Sequence, residues 1–220
     1  MDAGVGHPAV GGAACCFTDD LGLVVILGYF YFGQDQRLND EAAVLRATDA
    51  CTEWVLKNGW RNVLIEVNNE TNPKSYDHEI LRPARIHELI DRVKKATAPD
   101  GHRLLVTTSY PGNTLPLENV VRSSDYLLLH GNGVSDPKRI AELVQLTRKV
   151  AGYTPKPIFF NEDDHFNFDV PVNNFTSAVG EYAGWGYFDF RMTGEGYADG
   201  YQSIPANWGI SSPRKVGFFR

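Results

Sequence analysis

The chain has 220 residues, 43% of them hydrophobic and 22% charged, with a formal net charge of -6. Those values describe an ordinary globular chain with material for one sizeable core or two small ones. They exclude a nucleic-acid footprint, because no Lys/Arg cluster offsets the mild acidity, and no apolar run approaches the roughly 20 residues of a membrane span.

Residues 1–20 carry no strand or helix period and are expected to be irregular, with residues 21–220 forming a single domain. No basic stretch followed by an apolar core marks a signal peptide. Localisation is therefore open, and secretion is expected if the native N-terminus lies upstream. Cys15, Cys16 and Cys51 lack metal-type spacing and read as free thiols.

From residue 21 the chain alternates. "LGLVVILGYFYF" (21–32) predicts a strand buried on both faces. A helix follows over about 40–58, with Ala43, Val44, Ala47, Cys51, Trp54 and Val55 at helical spacing and Gly59 ending it. "NVLIEV" (62–67) is a second strand, and 82–96 a helix with Pro83 in its first turn. Residues 103–109 and 125–130 predict strands, joined through a short segment around 117–121. Ser135, Asp136 and Pro137 start a helix running to about Val150. "PIFF" (157–160) is a fifth strand, 174–182 a short helix, and "GWGYFDF" (184–190) a sixth strand. The last thirty residues, rich in Gly, Pro and Ser, read as irregular wrapping.

This rhythm is that of parallel β-α units. A doubly wound sheet usually carries a Gly-rich phosphate turn after its first strand, and "GYFYFGQDQ" has none. The expected fold is thus α/β, a partial TIM (β/α)8 barrel of six parallel strands. Barrel chemistry gathers at the C-terminal strand ends. Here those ends carry Gln34 and Asp35; Asn68, Asn69 and Glu70; Ser109 and Tyr110; His130 and Asn132; Asn161, Glu162 and His165; and Trp185, Tyr187 and Asp189. The strand interiors are nearly free of charge, Glu66 excepted. Glu70 and Glu162 end the second and fifth strands, and a carboxylate pair at one barrel mouth suits double-displacement glycoside hydrolysis.

With these residues in order, the sequence resembles the retaining glycoside hydrolases of clan A, the cellulase-like (β/α)8 enzymes that include family 5. In that family an Asn-Glu pair ends strand four, matched by Asn69-Glu70, and a second Glu ends strand seven, matched by Glu162 in "PIFFNEDDH". A His after strand six is matched by His130, and a sugar-stacking Trp on strand eight by Trp185. The resemblance numbers the present strands three to eight and covers residues 21–190. It implies Glu70 as acid/base, Glu162 as nucleophile, Asn69 on the sugar 2-hydroxyl, and a β-linked glucan or mannan as substrate. Gln34, Tyr110 and His165 are expected as further sugar contacts. Two features depart from the family. Its first two strands, with their supporting Arg, are absent, and Asp163-Asp164 follow the nucleophile in place of an aromatic and Gly.

Each residue also has a plainer reading. Glu70 suits a helix N-terminus, "NEDDH" a solvated acidic turn, His130 a structural hydrogen bond, and Trp185 and Tyr187 core filling. Asp163, Asp164 and His165 lack a spacing that enforces a metal site, and no metal or organic cofactor is expected. "NET" (69–71) and "NFT" (174–176) fit the glycosylation pattern, and the first collides with the proposed site. The rival to an enzyme is an inactive truncated barrel serving as a carbohydrate-binding or assembly scaffold. Open strand edges invite pairing, so a homodimer covering them is expected.

Overall fold

The computed structural model describes residues 18, 20–165, 167–188 and 213–218. Cys15, Cys16, Asp189, almost all of segment 1–20 and most of the C-terminal wrapping lie outside the described residues. The chain divides into two compact units, residues 1–110 with 116–127, and residues 111–115 with 128–220.

The first unit holds β1 (Val25–Phe30), α1 (Glu41–Asn58), β2 (Val63–Asn68), α2 (His87–Lys95), β3 (Leu105–Thr107) and α3 (Glu118–Ser123). Its sheet runs β1-β2-β3, all parallel, with Leu27 opposite Ile65 and Ile65 opposite Val106. The strand β2 is central and almost wholly buried. By contrast β1 is half-buried along its length, where a strand buried on both faces was expected. Its place at the end of the sheet order explains the difference, because it pairs with β2 alone in that order.

The caps follow the sequence. Asp40 accepts from Ala43 N–H at 2.7 Å at the head of α1, and Gly59 takes the left-handed φ of +72° that ends it. The buried stripe of α1 is Val44, Thr48, Thr52 and Val55. Both threonines were hidden from a hydrophobic count. Each returns its hydroxyl to the carbonyl one turn back, Thr48 to Val44 at 3.0 Å and Thr52 to Thr48 at 2.7 Å, which makes burial tolerable. Thr52 also meets the Tyr29 hydroxyl of β1 at 3.1 Å. The helix expected from Arg82 starts later. Ile86 N–H bonds to Arg82 O in a preceding turn, and α2 proper begins at His87.

The second unit holds β4 (Leu127–His130) from Leu128 on, α4 (Pro137–Thr147), β5 (Ile158–Glu162), α5 (Asn174–Gly180), β6 (Gly184–Trp185) and α6 (Pro213–Phe218). Its sheet runs β4-β5-β6. Asp136 caps α4 through Lys138 N–H at 3.0 Å, with Pro137 at its first turn. Asn173 and Thr176 form a reciprocal capping box on α5. The strand β6 is far shorter than the expected 184–190. Even so, Gly186 N–H reaches Phe160 O at 2.7 Å and Phe188 N–H reaches Asp163 O at 2.9 Å, so the backbone follows β5 beyond the regular ladder. The core of this unit includes Leu128, Leu129, Ile140, Leu143, Val144 and Phe160.

Candidate active site

The run that ends β2 is held by its own amides. Asn68 is fully buried; its side-chain N–H donates to Leu81 O at 2.8 Å, and its oxygen accepts from the Thr108 hydroxyl. Asn69 N–H donates to Phe30 O at 3.0 Å, extending the pairing with β1. On the β3 side, Ser109 takes Glu70 N–H on its hydroxyl at 2.9 Å and Thr71 N–H on its carbonyl at 2.9 Å. Between these anchors Glu70 turns the chain with φ +50°, a left-handed conformation uncommon outside glycine. The first amide of "NNE" is thus a structural tie, and the second precedes a half-buried carboxylate on a fixed turn.

The Tyr76 hydroxyl donates to Asn69 O and braces the same turn. Burial pushes its phenol far up, and the carboxylates Glu66, Asp35 and Glu70 add to that despite a hydrogen bond with Asn68, so it remains a donor. Asp35 is buried and accepts from Asp77 N–H at 2.8 Å and His78 N–H at 3.0 Å. Its neighbour Gln34 is exposed. Tyr110 is 3% exposed and lies in the core cluster. Its oxygen accepts Leu117 N–H at 3.3 Å, and burial outweighs that bond, pushing the phenol up to about 12.

In the second unit, β5 ends at Glu162, half-buried beside the end of β4. Gly131 N–H donates to Glu162 O at 2.7 Å, locking the two strand ends together. The Glu162 carboxylate lies 3.8 Å from His130 Nε2 and 3.5 Å from Asn132 Nδ2. His130 is buried, so a donor-capable ring faces the carboxylate from the strand expected to supply it.

Asp163 has a role that its place in an acidic run hides. It is fully buried. Its oxygens accept from His165 N–H and His165 Nδ1, both at 3.0 Å, from Asn174 Nδ2 at 2.9 Å and from Trp185 Nε1 at 2.9 Å. Asn174 also donates to Val134 O at 2.9 Å. A methyl group on Gly131 would lie 2.3 Å from Asp163 Oδ2, so glycine is required there. Asp163, Asp164 and His165 bring ligand-type atoms within 4.8 Å of one another. The donors crowding Asp163 are N–H groups, the chemistry of a hydrogen-bond hub. Trp185 is half-buried, stacked with Tyr187 at 13° and edged by Phe168 and Phe175.

No family model matches the chain, and no curated protein matches it. Solved structures do. One is an active-site mutant of a Rhizomucor miehei β-1,3-glucanosyltransferase in complex with laminaritriose, 19% identical, TM-score 0.52, with 81% of this chain and 70% of that chain covered. Another is a GH113 β-1,4-mannanase, 16% identical, TM-score 0.53, with 82% of this chain and 68% of that chain covered. At such identities the likeness concerns the fold. The fold class is α/β, that of a partial (β/α)8 barrel, as the strand-helix rhythm predicts.

Proposed function

We propose that the chain is a retaining glycoside hydrolase acting on a β-linked glucan or mannan, its six strands corresponding to strands three to eight of a clan A barrel. The observation that carries this reading is placement. Glu162 is the last residue of β5, and Glu70 stands two residues past β2, each at the C-terminal end of a parallel strand on a backbone fixed by neighbouring strands. The substrate class agrees with what the names of the two similar enzymes describe.

In this mechanism Glu70, as the carboxylic acid, gives its proton to the glycosidic oxygen while Glu162 attacks the anomeric carbon. The bond to the leaving sugar breaks, and a glycosyl ester forms on Glu162. Glu70, now a carboxylate, takes a proton from water, whose oxygen displaces Glu162 and restores the anomeric configuration. Retention calls for carboxyl groups about 5–5.5 Å apart. Asn69 holds the sugar 2-hydroxyl, and Trp185 offers a face to the ring.

The test is hydrolysis of laminari- and manno-oligosaccharides, with product configuration read by NMR. Glu70→Gln is expected to lower kcat by about 10²-fold or more. Glu162→Gln is expected to abolish turnover while oligosaccharide binding persists. Inversion of configuration, or a Glu162→Gln protein that still turns over within tenfold of the parent, would refute the assignment. Binding without hydrolysis by the parent chain would favour the scaffold.

A further inference from the structure

We infer that Asp163 is a positioning residue that presets two sugar-contacting side chains at once; the role of those contacts rests on the proposed function. A carboxylate oxygen accepts hydrogen bonds, and His165 Nδ1 lies 3.0 Å from one on Asp163 and 3.1 Å from one on Asp164, so in the neutral ring Nδ1 carries the proton. The neutral ring then leaves Nε2 as a bare acceptor. His165 is a quarter exposed, so the imidazole retains access to solvent. The other oxygen of Asp163 holds the Trp185 indole N–H at 2.9 Å, which fixes the plane of that ring. Tyr187, stacked at 13°, and the edges of Phe168 and Phe175 support it.

The preset pair suits a neutral, hydroxyl-rich ring. A sugar hydroxyl donates to Nε2, and the C–H face of the pyranose lies on an aromatic plane. Preorganisation matters because an untethered imidazole and indole would each lose rotamer freedom on binding. The carboxylate itself is sealed. Gly131 lies against it, and Asn174 adds 2.9 and 3.2 Å contacts to its two oxygens. Asp163 therefore acts through its partners and not on the substrate.

The experiment combines nitrogen NMR of the His165 ring with sugar binding and kinetics. In the parent chain the neutral ring should be the Nδ1–H tautomer, and it should become a mixture only when both facing carboxylates are removed, in Asp163→Asn combined with Asp164→Asn. Laminari- or manno-oligosaccharide affinity and KM should weaken roughly tenfold in Asp163→Asn, the loss expected for one charge-assisted hydrogen bond. The fall in kcat/KM should lie mainly in KM. His165→Ala keeps Asp163 buried with its Asn174, Trp185 and backbone donors, so it should fold even where Asp163→Asn fails to, and it should show the same weakening. An Nε2–H tautomer in the parent, or unchanged sugar affinity in His165→Ala, overturns the inference. If the parent binds sugars without cleaving them, the hydrolase reading fails while the tautomer and affinity readouts still decide this one. A parent chain that binds no oligosaccharide overturns both.

Discussion

Replacing Asn68 tests how the strand end that carries Glu70 is built. Alanine removes the contact with the Tyr76 hydroxyl, which keeps its bond to Asn69 O, and two further buried hydrogen bonds, one to Leu81 O and one from the Thr108 hydroxyl. Neither partner is orphaned. Leu81 O still accepts from the Thr71 hydroxyl at 2.8 Å, and the Thr108 hydroxyl still reaches the Asn68 carbonyl at 2.8 Å. The loss is therefore about 1 kcal/mol per bond plus a small cavity, about 2–3 kcal/mol in all. Asn68→Asp has nearly the same shape but a different sign. At pH 7 it sets an unpaired charge against the Leu81 carbonyl in a fully buried site, and it should cost more than alanine. Burial would raise the new carboxyl above its unfolded value of about 3.9, so the penalty grows as pH rises above that value and shrinks as the group protonates and donates to Leu81 O. Urea unfolding at pH 5 and pH 7, with amide exchange at Asn69 and Thr71, measures both effects. An alanine variant within about 0.5 kcal/mol of the parent, or an aspartate variant no worse than alanine at pH 7, would refute this account.

Other substitutions probe each unit separately. Burial pushes the Asp125 carboxyl up, but Arg103, Val106 N–H and Lys94 outweigh it and hold it below its usual range. The folded state thus binds this proton less readily than the unfolded chain, and its contribution is present above about pH 4 and lost as pH falls further. Asp125→Asn should cost about 1–3 kcal/mol at pH 7 and flatten that acid loss, as urea midpoints from pH 3 to pH 7 would show. Gly131→Ala should destabilise the second unit by about 3 kcal/mol, because the new methyl meets Asp163 Oδ2 at 2.3 Å. Thermal unfolding monitors it, and an unshifted midpoint would mean the Asp163 carboxylate moves freely.

The fold was legible wherever apolar periodicity and caps agreed. Asp40, Gly59, Asp136 and Pro137 mark their helix ends in the sequence, and the structure uses them so. The partial burial of β1 is not legible in the sequence, since an apolar run does not reveal how many neighbours a strand has. Pro83 suggested a helix start and instead opens a turn ahead of α2. At the site, the strand-end positions of Asn69, Glu70, His130 and Glu162 could be read from where apolar runs stop. Tyr110 looked the same on paper yet points its hydroxyl at Leu117 N–H within the core. Asp163 was illegible for a different reason. Three acidic residues in a row resemble a solvated turn, while the donors that define its role come from positions 165, 174 and 185.

The burial of Asn174 bears on how this protein should be produced. A eukaryotic secretory host reads "NFT" on the nascent polypeptide, before any tertiary structure exists. A glycan attached there would have to occupy the space in which the amide grips Asp163 and Val134 O, and Asn69 in "NET" is buried as well. Production in a bacterial cytoplasm avoids that conflict, whereas a yeast or mammalian secretory route would set attached oligosaccharide against the native packing of both units.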